Sequence, residues 1–342
     1  MIIRTPGRRI DVFTISPRTL DPREYWRNIE KVVDWSERYG CTGVLIFTGN
    51  DTFVDPWLVA QTVCIRTASL SPLVAVNPVY MHPFTAAKMI SSLAYLYGRR
   101  VFLNMVTGTA LSYQEALDDH LSHDERYDRL LEYLQVIDSL LRGEGLTTYG
   151  GRYYRVTDLQ LSLPFPASLL PGVLLAGQSE AARRVCRAAG ATGMQMLPAE
   201  REEGVNGAGG VHFGIVTRPT GDEAWEAARS LFPESPEDQE ILEFSMENTD
   251  AVWKRRMWLA SRDPELVSTG YWLAPFRNFK ADCPYFVGDY ERVAGLVARL
   301  VDRGVECFIL DLPAREEEFR HVSAAFGMAA EQLGGVPAGV EA

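Results

Sequence analysis

Lysine is scarce in this 342-residue chain, and the spacings that would turn its cysteines and histidines into a framework are missing. Of 34 basic residues only Lys31, Lys88, Lys254 and Lys280 are lysines. The fixed positive charge therefore sits mostly on arginine, whose planar guanidinium matches carboxylates and phosphates. Acidic side chains outnumber basic ones by 45 to 34, a net charge of -11, which excludes a general affinity for nucleic acid or anionic lipid. The five cysteines (Cys41, Cys64, Cys186, Cys283 and Cys307) contain no CxxC pair, so neither a zinc site nor a disulfide framework is expected and the thiols read as reduced and buried. Only His120 and His123 show metal-ligand spacing among the five histidines, with no third histidine or cysteine beside them, so no metal is expected. No stretch approaches the roughly 18 apolar residues of a membrane span, and the N-terminus has no apolar run of signal length, so a cytoplasmic location is expected. No GxGxxG follows the first strand and no Walker lysine occurs, which excludes the usual dinucleotide and P-loop fingerprints.

What is present is a repeat of short β-branched runs followed by amphipathic helices. Strands are predicted over residues 10–15, 43–47, 73–76, 101–106, 172–176, 193–197, 211–216 and 307–312. Helices are predicted over 23–39, 55–67, 83–97, 124–141, 179–189, 222–232, 289–303 and 315–326. Continuous apolar strands alternating with helices mean a parallel sheet covered on both faces, and eight such units favour an α/β fold of the (β/α)8 TIM-barrel class. Residues 1–328 read as a single barrel domain with insertions at about 145–165 and 233–286, and 329–342 as a flexible tail. The first insertion reads as a hairpin turning at Gly150 and Gly151. The second reads as a long helix near 236–262 followed by an irregular aromatic stretch. Only 13 residues, Gly-rich and aperiodic, separate Leu197 from Val211, so the sixth helix is expected to be absent or reduced to a turn.

In such a barrel the chemistry sits at the C-terminal ends of the strands. Asp51 and Asp311 are the carboxylates close to a strand end there, which supports a paired-carboxylate hydrolase poorly. The run from Ser122 to Glu125 reads as a helix-opening capping box that puts His123 and Tyr127 on one face at the rim, although a plain N-cap with a packed tyrosine accounts for the same residues. Residues 174–179, LLAGQS, run from a strand through Gly177 into a helix start at Ser179, where bare N–H groups and a hydroxyl suit a phosphate; a good turn and cap is the plainer alternative. Asn104 to Gly108, NMVTG, ends a buried strand in polar groups able to bond a flat heterocycle. His82 precedes Pro83 as a cap-side histidine, and His212 alternates with apolar neighbours on the seventh strand, facing either the barrel interior or its wall.

Seven motifs in order, GVLIFTG (43–49), DPWLVA (55–60), FLNMVTG (102–108), SHDERY (122–127), GVLLAGQSEAA (172–182), GDEAW (221–225) and VGD (287–289), resemble the bacterial-luciferase-like flavin monooxygenases, and among them the alkanesulfonate monooxygenase branch. The resemblance covers residues 10–326. It implies a luciferase-like TIM barrel that takes reduced FMN from an NAD(P)H-dependent flavin reductase and, through a flavin C4a-peroxide, inserts one atom of O2 into an organic substrate. By this resemblance Thr48, Asn104, Val106 and Thr107 would lie along the isoalloxazine, and Tyr127, Gly177, Gln178 and Ser179 would hold the ribityl phosphate. His123, His212, His82 and Arg277 become candidates for proton transfer or substrate contact. Arg277 or Lys280 would be the cation of a mobile loop at 271–286. A homodimer or homotetramer is implied. The cysteine after strand 2, the histidine after strand 1, the arginine and histidine pair on strand 7 and the tyrosine after strand 8 of desulfonating members are replaced here by Asp51 or Thr52, Pro17, His212 and Gly214, and Leu312, so a simple alkanesulfonate is not the expected substrate. A deazaflavin-dependent hydride transfer and a non-catalytic flavin-binding barrel are the alternatives.

Overall fold

Strands of four to nine residues, separated by helices with one apolar face, build the parallel sheet that the alternation predicts. A computed structural model describes all residues except 6–7, 20, 51, 109, 206–208, 235–237 and 338–342. In chain order, β1 (Ile3–Thr5) pairs antiparallel with β2 (Arg8–Ile15), and α1 (Pro22–Arg38) follows. Asp21 caps α1 by accepting from the Arg23 N–H, with Pro22 in the first turn, and the helix buries Ile29, Val32, Val33 and Ser36, the face its periodicity predicts. Next come β3 (Gly43–Ile46), α2 (Pro56–Arg66), β4 (Ser71–Val76), α3 (Pro83–Tyr97), β5 (Phe102–Met105), α4 (Leu111–Ala116), α5 (His123–Arg142), the hairpin β6 (Thr147–Gly150) and β7 (Arg155–Leu159), β8 (Gly172–Ala176) and α6 (Glu180–Ala189). The chain continues through β9 (Thr192–Met196), β10 (Gly210–Arg218), α7 (Gly221–Leu231), α8 (Asp238–Glu247), α9 (Val252–Ala260), α10 (Glu265–Ser268), β11 (Tyr271–Trp272), α11 (Ala274–Arg277), β12 (Tyr285–Asp289), α12 (Tyr290–Asp302), β13 (Cys307–Asp311), α13 (Glu316–Gln332) and β14 (Val336–Pro337).

Two compact units emerge from the packing, residues 1–44 with 194–342 and residues 45–193. In the second, β4, β5 and β8 are parallel, with Ala75 opposite Asn104 and Asn104 opposite Leu174. In the first, β9, β10, β13 and β2 are parallel, with His212 opposite Met196 on one side and Ile309 on the other. The strand order β2, β3, β4, β5, β8, β9, β10, β13, with β13 pairing back onto β2, is that of a (β/α)8 barrel. Between β9 and β10 the described residues form one short 3-10 turn, Arg201–Gly204, the reduced sixth helix that the short aperiodic link implied.

Several boundaries differ from expectation. The 145–165 hairpin forms, but its turn spans residues 151–154, closed by the Gly151 N–H donating to the Tyr154 carbonyl at 2.9 Å. The long helix expected near 236–262 is two, α8 and α9, interrupted where the Thr249 hydroxyl accepts from the Ala251 N–H. The aromatic stretch at 271–286 is packed core: Tyr271, Trp272, Phe276, Tyr285 and Phe286 are all buried. Its end becomes β12, parallel to β10, because Gly214 has no side chain and a Cβ there would lie 2.3 Å from the Tyr285 ring. The supposed tail from 329 is also corrected. α13 continues to Gln332 with Ala329 and Ala330 fully buried, and β14 pairs with β1. Residues 338–342 of that tail lie outside the described residues.

Candidate functional site

The site residues expected from sequence fall into two groups, one in each unit. Within residues 45–193, α5 opens with the capping box: the Ser122 N–H and hydroxyl bond one Glu125 carboxylate oxygen at 3.1 and 2.8 Å, and the Glu125 N–H returns to the Ser122 oxygen. Those bonds, with the Arg152 guanidinium at 2.6 Å, hold the exposed Glu125 carboxyl down to about 2. One turn on, the Tyr127 ring packs against His123 with centroids 5.1 Å apart, and the His123 ring nitrogen bonds Asp124 at 2.7 Å. The buried Tyr127 hydroxyl donates to the Ala176 carbonyl at 3.1 Å, at the end of β8. Gly177 follows at φ +130°, and a Cβ there would come within 2.2 Å of that hydroxyl, so only glycine fits. Ser179 then caps α6, its oxygen accepting from the Ala182 N–H at 3.1 Å. Tyr127, Gly177 and Ser179 thus meet at one helix N-terminus, where the leading N–H groups have no partner inside the helix. Arg183 reaches back to the Gln178 carbonyl at 2.6 Å.

Asn104, next to last in β5, has its amide oxygen enclosed and without a hydrogen-bond partner among the described residues. The Val106 N–H donates to the Val76 carbonyl, which carries the chain from β5 past the end of β4, and Thr107 is buried beside it. Thr48, after β3, lines a recess of about 300 Å³ together with Gly49, Trp57, Asn77 and Tyr80. None of the other expected flavin contacts lines that recess. His82 is the exposed N-cap of α3, its ring nitrogen accepting from the Phe84 N–H at 3.2 Å. Asp51 lies outside the described residues.

A group of buried ions that the sequence did not flag steadies the loop after β5. Arg129 grips Asp119 two-point at 2.9 and 2.7 Å, and Arg126 donates to Gln114 and to the Leu121 carbonyl. Arg–carboxylate pairs set ten residues apart have no local sequence signature, which is why they escaped notice.

His212 and Arg277 lie in the other unit. Arg277 is half exposed and pairs with Glu234 at 3.1 Å, and Lys280 pairs with Asp238 at 3.2 Å, so each is engaged with the 233–247 segment instead of standing as a free cation on a loop. His212 has a buried Nε2 without a hydrogen-bond partner among the described residues, and burial beside the Arg18 cation pushes its basicity down to about 3, which keeps the ring neutral. Asp311 is buried at the end of β13, accepting from the Tyr285 hydroxyl at 3.0 Å and lying near the Cys283 thiol at 3.6 Å. Arg18, which sequence reasoning missed, donates to Asp282 at 2.6 Å and approaches Asp311 at 3.7 Å.

The profile of the luciferase-like monooxygenases matches residues 10–207, more than half of the chain. The protein belongs to the luciferase-like monooxygenase family. A 4-(gamma-L-glutamylamino)butanoyl-acyl-carrier-protein monooxygenase of Niallia circulans is 30% identical over 311 residues, covering 88% of this chain and 91% of the relative. Among solved structures, the oxygenating constituent of 3,6-diketocamphane monooxygenase from Pseudomonas putida, in complex with FMN, superposes with a TM-score of 0.68 at 14% identity, over 94% of this chain and 98% of its own. An F420-dependent secondary alcohol dehydrogenase superposes at 0.64 and 15% identity, over 94% and 99%. The luciferase-like enzyme is therefore a flavin-dependent monooxygenase by family, while the fold itself also serves a deazaflavin in a neighbour.

Proposed function

We propose that this luciferase-like enzyme is the oxygenase of a two-component system, binding FMNH2 delivered by an NAD(P)H-dependent flavin reductase and placing one oxygen atom from O2 on an organic substrate. The observation that carries the reading is the cradle at α6, where Tyr127 occupies the space that a side chain at Gly177 would need and Ser179 closes the helix start. The leading N–H groups of α6, with Gln178 and Ser179, would hold the FMN phosphate. The enclosed Asn104 amide oxygen is an acceptor that the imide N–H of an isoalloxazine would satisfy, with Thr48, Val106 and Thr107 along the ring. Bound reduced FMN supplies the electrons that activate O2. The chain's own work is to orient the ring, to exclude water from it and to move protons. His123, at the start of α5 beside Tyr127, is the residue proposed for the proton step nearest the flavin. His82, His212 and Arg277 are kept as lesser candidates, and their capping, buried and ion-paired settings argue for supporting roles.

The substrate proposed is not a simple alkanesulfonate, and the Niallia relative, named for an acyl amide held on a carrier protein, offers a precedent of another chemical class. The protein is proposed to be cytoplasmic and to form a homodimer or homotetramer. Among the described residues no helix is long and apolar enough to cross a membrane. The test is anaerobic titration with FMNH2 and with reduced F420, followed by mixing with oxygen. Tight FMNH2 binding with flavin reoxidation slower than that of free FMNH2 is expected. Preference for reduced F420, or reoxidation at the free rate, would overturn the reading in favour of hydride transfer or of passive binding respectively. Sulfite release from short alkanesulfonates at an ordinary enzymatic rate would sink the substrate statement.

A further inference from the structure

Within the unit built from residues 45–193, the recess of about 300 Å³ opens where the chain leaves the C-terminal ends of two neighbouring strands. Thr48 and Gly49 follow β3 there, and Val76 and Asn77 close β4. Its volume is that of a small-molecule site at the lower end of the usual range. The opposite wall is the start of α2, with Asp55, Pro56 and Trp57. Asp55 is the one charged residue in the lining, and no lysine, arginine or histidine belongs to it among the described residues. One Asp55 oxygen, Oδ1, caps α2 by accepting from the Trp57 N–H at 2.9 Å, and among the described residues no cation stands within ion-pair distance of this carboxylate. Two neighbouring hydroxyls have committed their protons to the protein. Thr52 donates to the Gly49 carbonyl and Tyr80 to the Asn50 amide oxygen, each at 3.0 Å. A hydroxyl oxygen whose proton is committed still accepts. The donors that remain are the Thr48 hydroxyl and the Asn77 amide, whose nitrogen lies against Gly108.

A helix cap alone does not require this charge, since serine or asparagine caps as well. An anionic end placed in the recess would meet Asp55 with no cation in the lining to offset it. A purely apolar end would leave the carboxylate and the two hydroxyl oxygens unanswered. A primary ammonium brings three donors, no acceptor and a positive charge, and the aromatic residues Trp57 and Tyr80 add rings that attract a cation. We propose that this recess is a substrate subsite for a primary ammonium group, held by the Asp55 carboxylate with the Thr52 and Tyr80 oxygens. The assignment rests on the reading of the protein as an enzyme with an organic substrate, and it names a cationic end for that substrate.

Calorimetry on the full chain tests it, using hexylamine, hexan-1-ol and hexanoate, with and without FMNH2 under anaerobic conditions. Hexylamine is expected to bind at one site, about tenfold or more tighter than hexan-1-ol, the size of a hydrogen bond to a charged group, with hexanoate the weakest of the three. Asp55→Asn, which keeps a capping side chain, is expected to bring hexylamine down to the affinity of hexan-1-ol. Tyr80→Phe, which leaves Asp55 in place, is expected to weaken hexylamine by about threefold and to spare hexan-1-ol. Equal binding of hexan-1-ol would mean an apolar pocket, tighter binding of hexanoate an anion pocket, and no binding by any of the three a plain helix cap. An amine preference that survives both variants would place the site elsewhere, and loss of hexylamine binding on adding FMNH2 would give the recess to the flavin ring. Each of these overturns the proposal, and the wild-type series stands even if a variant folds poorly. FMNH2 binding and reoxidation are measured without any of these ligands, so failure here and failure of the monooxygenase reading are separately visible.

Discussion

At Gly177 the backbone takes φ +130°, and the volume where a side chain would begin is filled by the Tyr127 hydroxyl at 2.2 Å. Gly177→Ala is therefore expected to lose about 1–3 kcal/mol of stability through strain and overlap. It should also weaken FMNH2 binding by roughly tenfold or more, since about 1.4 kcal/mol of lost contact is tenfold in affinity. Adding Tyr127→Phe should recover part of the stability without restoring the affinity, because the two groups share one space and their effects do not add. Chemical denaturation and flavin titration separate the two quantities. The second residue-scale prediction concerns His212, whose native ring resists protonation down to about 3 while the unfolded ring takes its proton near 6.5. Between those values the unfolded chain binds more protons, so this contribution to stability is complete above pH 6.5 and is lost as pH falls toward 3. His212→Gln should flatten that part of the curve of melting temperature against pH, and an unchanged slope would show that His212 is not the group responsible. Most residue-scale features at the α6 cradle were legible in sequence, since glycine before a capping serine at a strand end is a local pattern. The orphaned Asn104 oxygen was not, because enclosure is a property of neighbours from β4 and β8.

Among elements, α5 carries the clearest division between what sequence shows and what it hides. Its capping box and its buried face through Leu130 and Leu134 follow from short-range spacing. The grip of Arg129 on Asp119, which holds the loop after β5, does not. Both side chains are largely buried, so removing one charge strands the other. Asp119→Asn is expected to cost about 3 kcal/mol by denaturant midpoint. Arg142, which pairs with the exposed Asp138 within the same helix, serves as the control: Asp138→Asn should change stability by less than about 1 kcal/mol. The expected lid at 271–286 illustrates the opposite error. An aromatic, Gly-poor run without periodicity reads as a loop, but its aromatic rings meet Phe232 and Trp225 from α7 and its flank, and burial of several such rings outweighs the absence of a regular pattern.

For the molecule as a whole, the eight-unit alternation and the reduced sixth helix were readable because each unit is local, whereas the end of the domain was misread. Small residues and glycines after 328 look like a frayed tail, yet Ala329 and Ala330 are fully buried on α13, and the strand beyond them pairs with β1. Deletion of residues 329–342 is accordingly expected to lower the melting temperature by about 5 °C or more, given about 2–4 °C per kcal/mol for domains of about 150–250 residues. By itself the sequence determined the fold class, the eight barrel strands and the capped helix starts at Ser122 and Ser179, because periodicity and capping act over ten residues or fewer. Only the tertiary structure decided that Arg277 is spent on Glu234, that β12 extends the sheet beside Gly214, and that Arg18 meets Asp282 from 264 positions away. The reason is that a charge finds its partner by the pairing of strands and not by its place in the chain, and burial, which sets the strength of each such pairing, exists only after that pairing is complete.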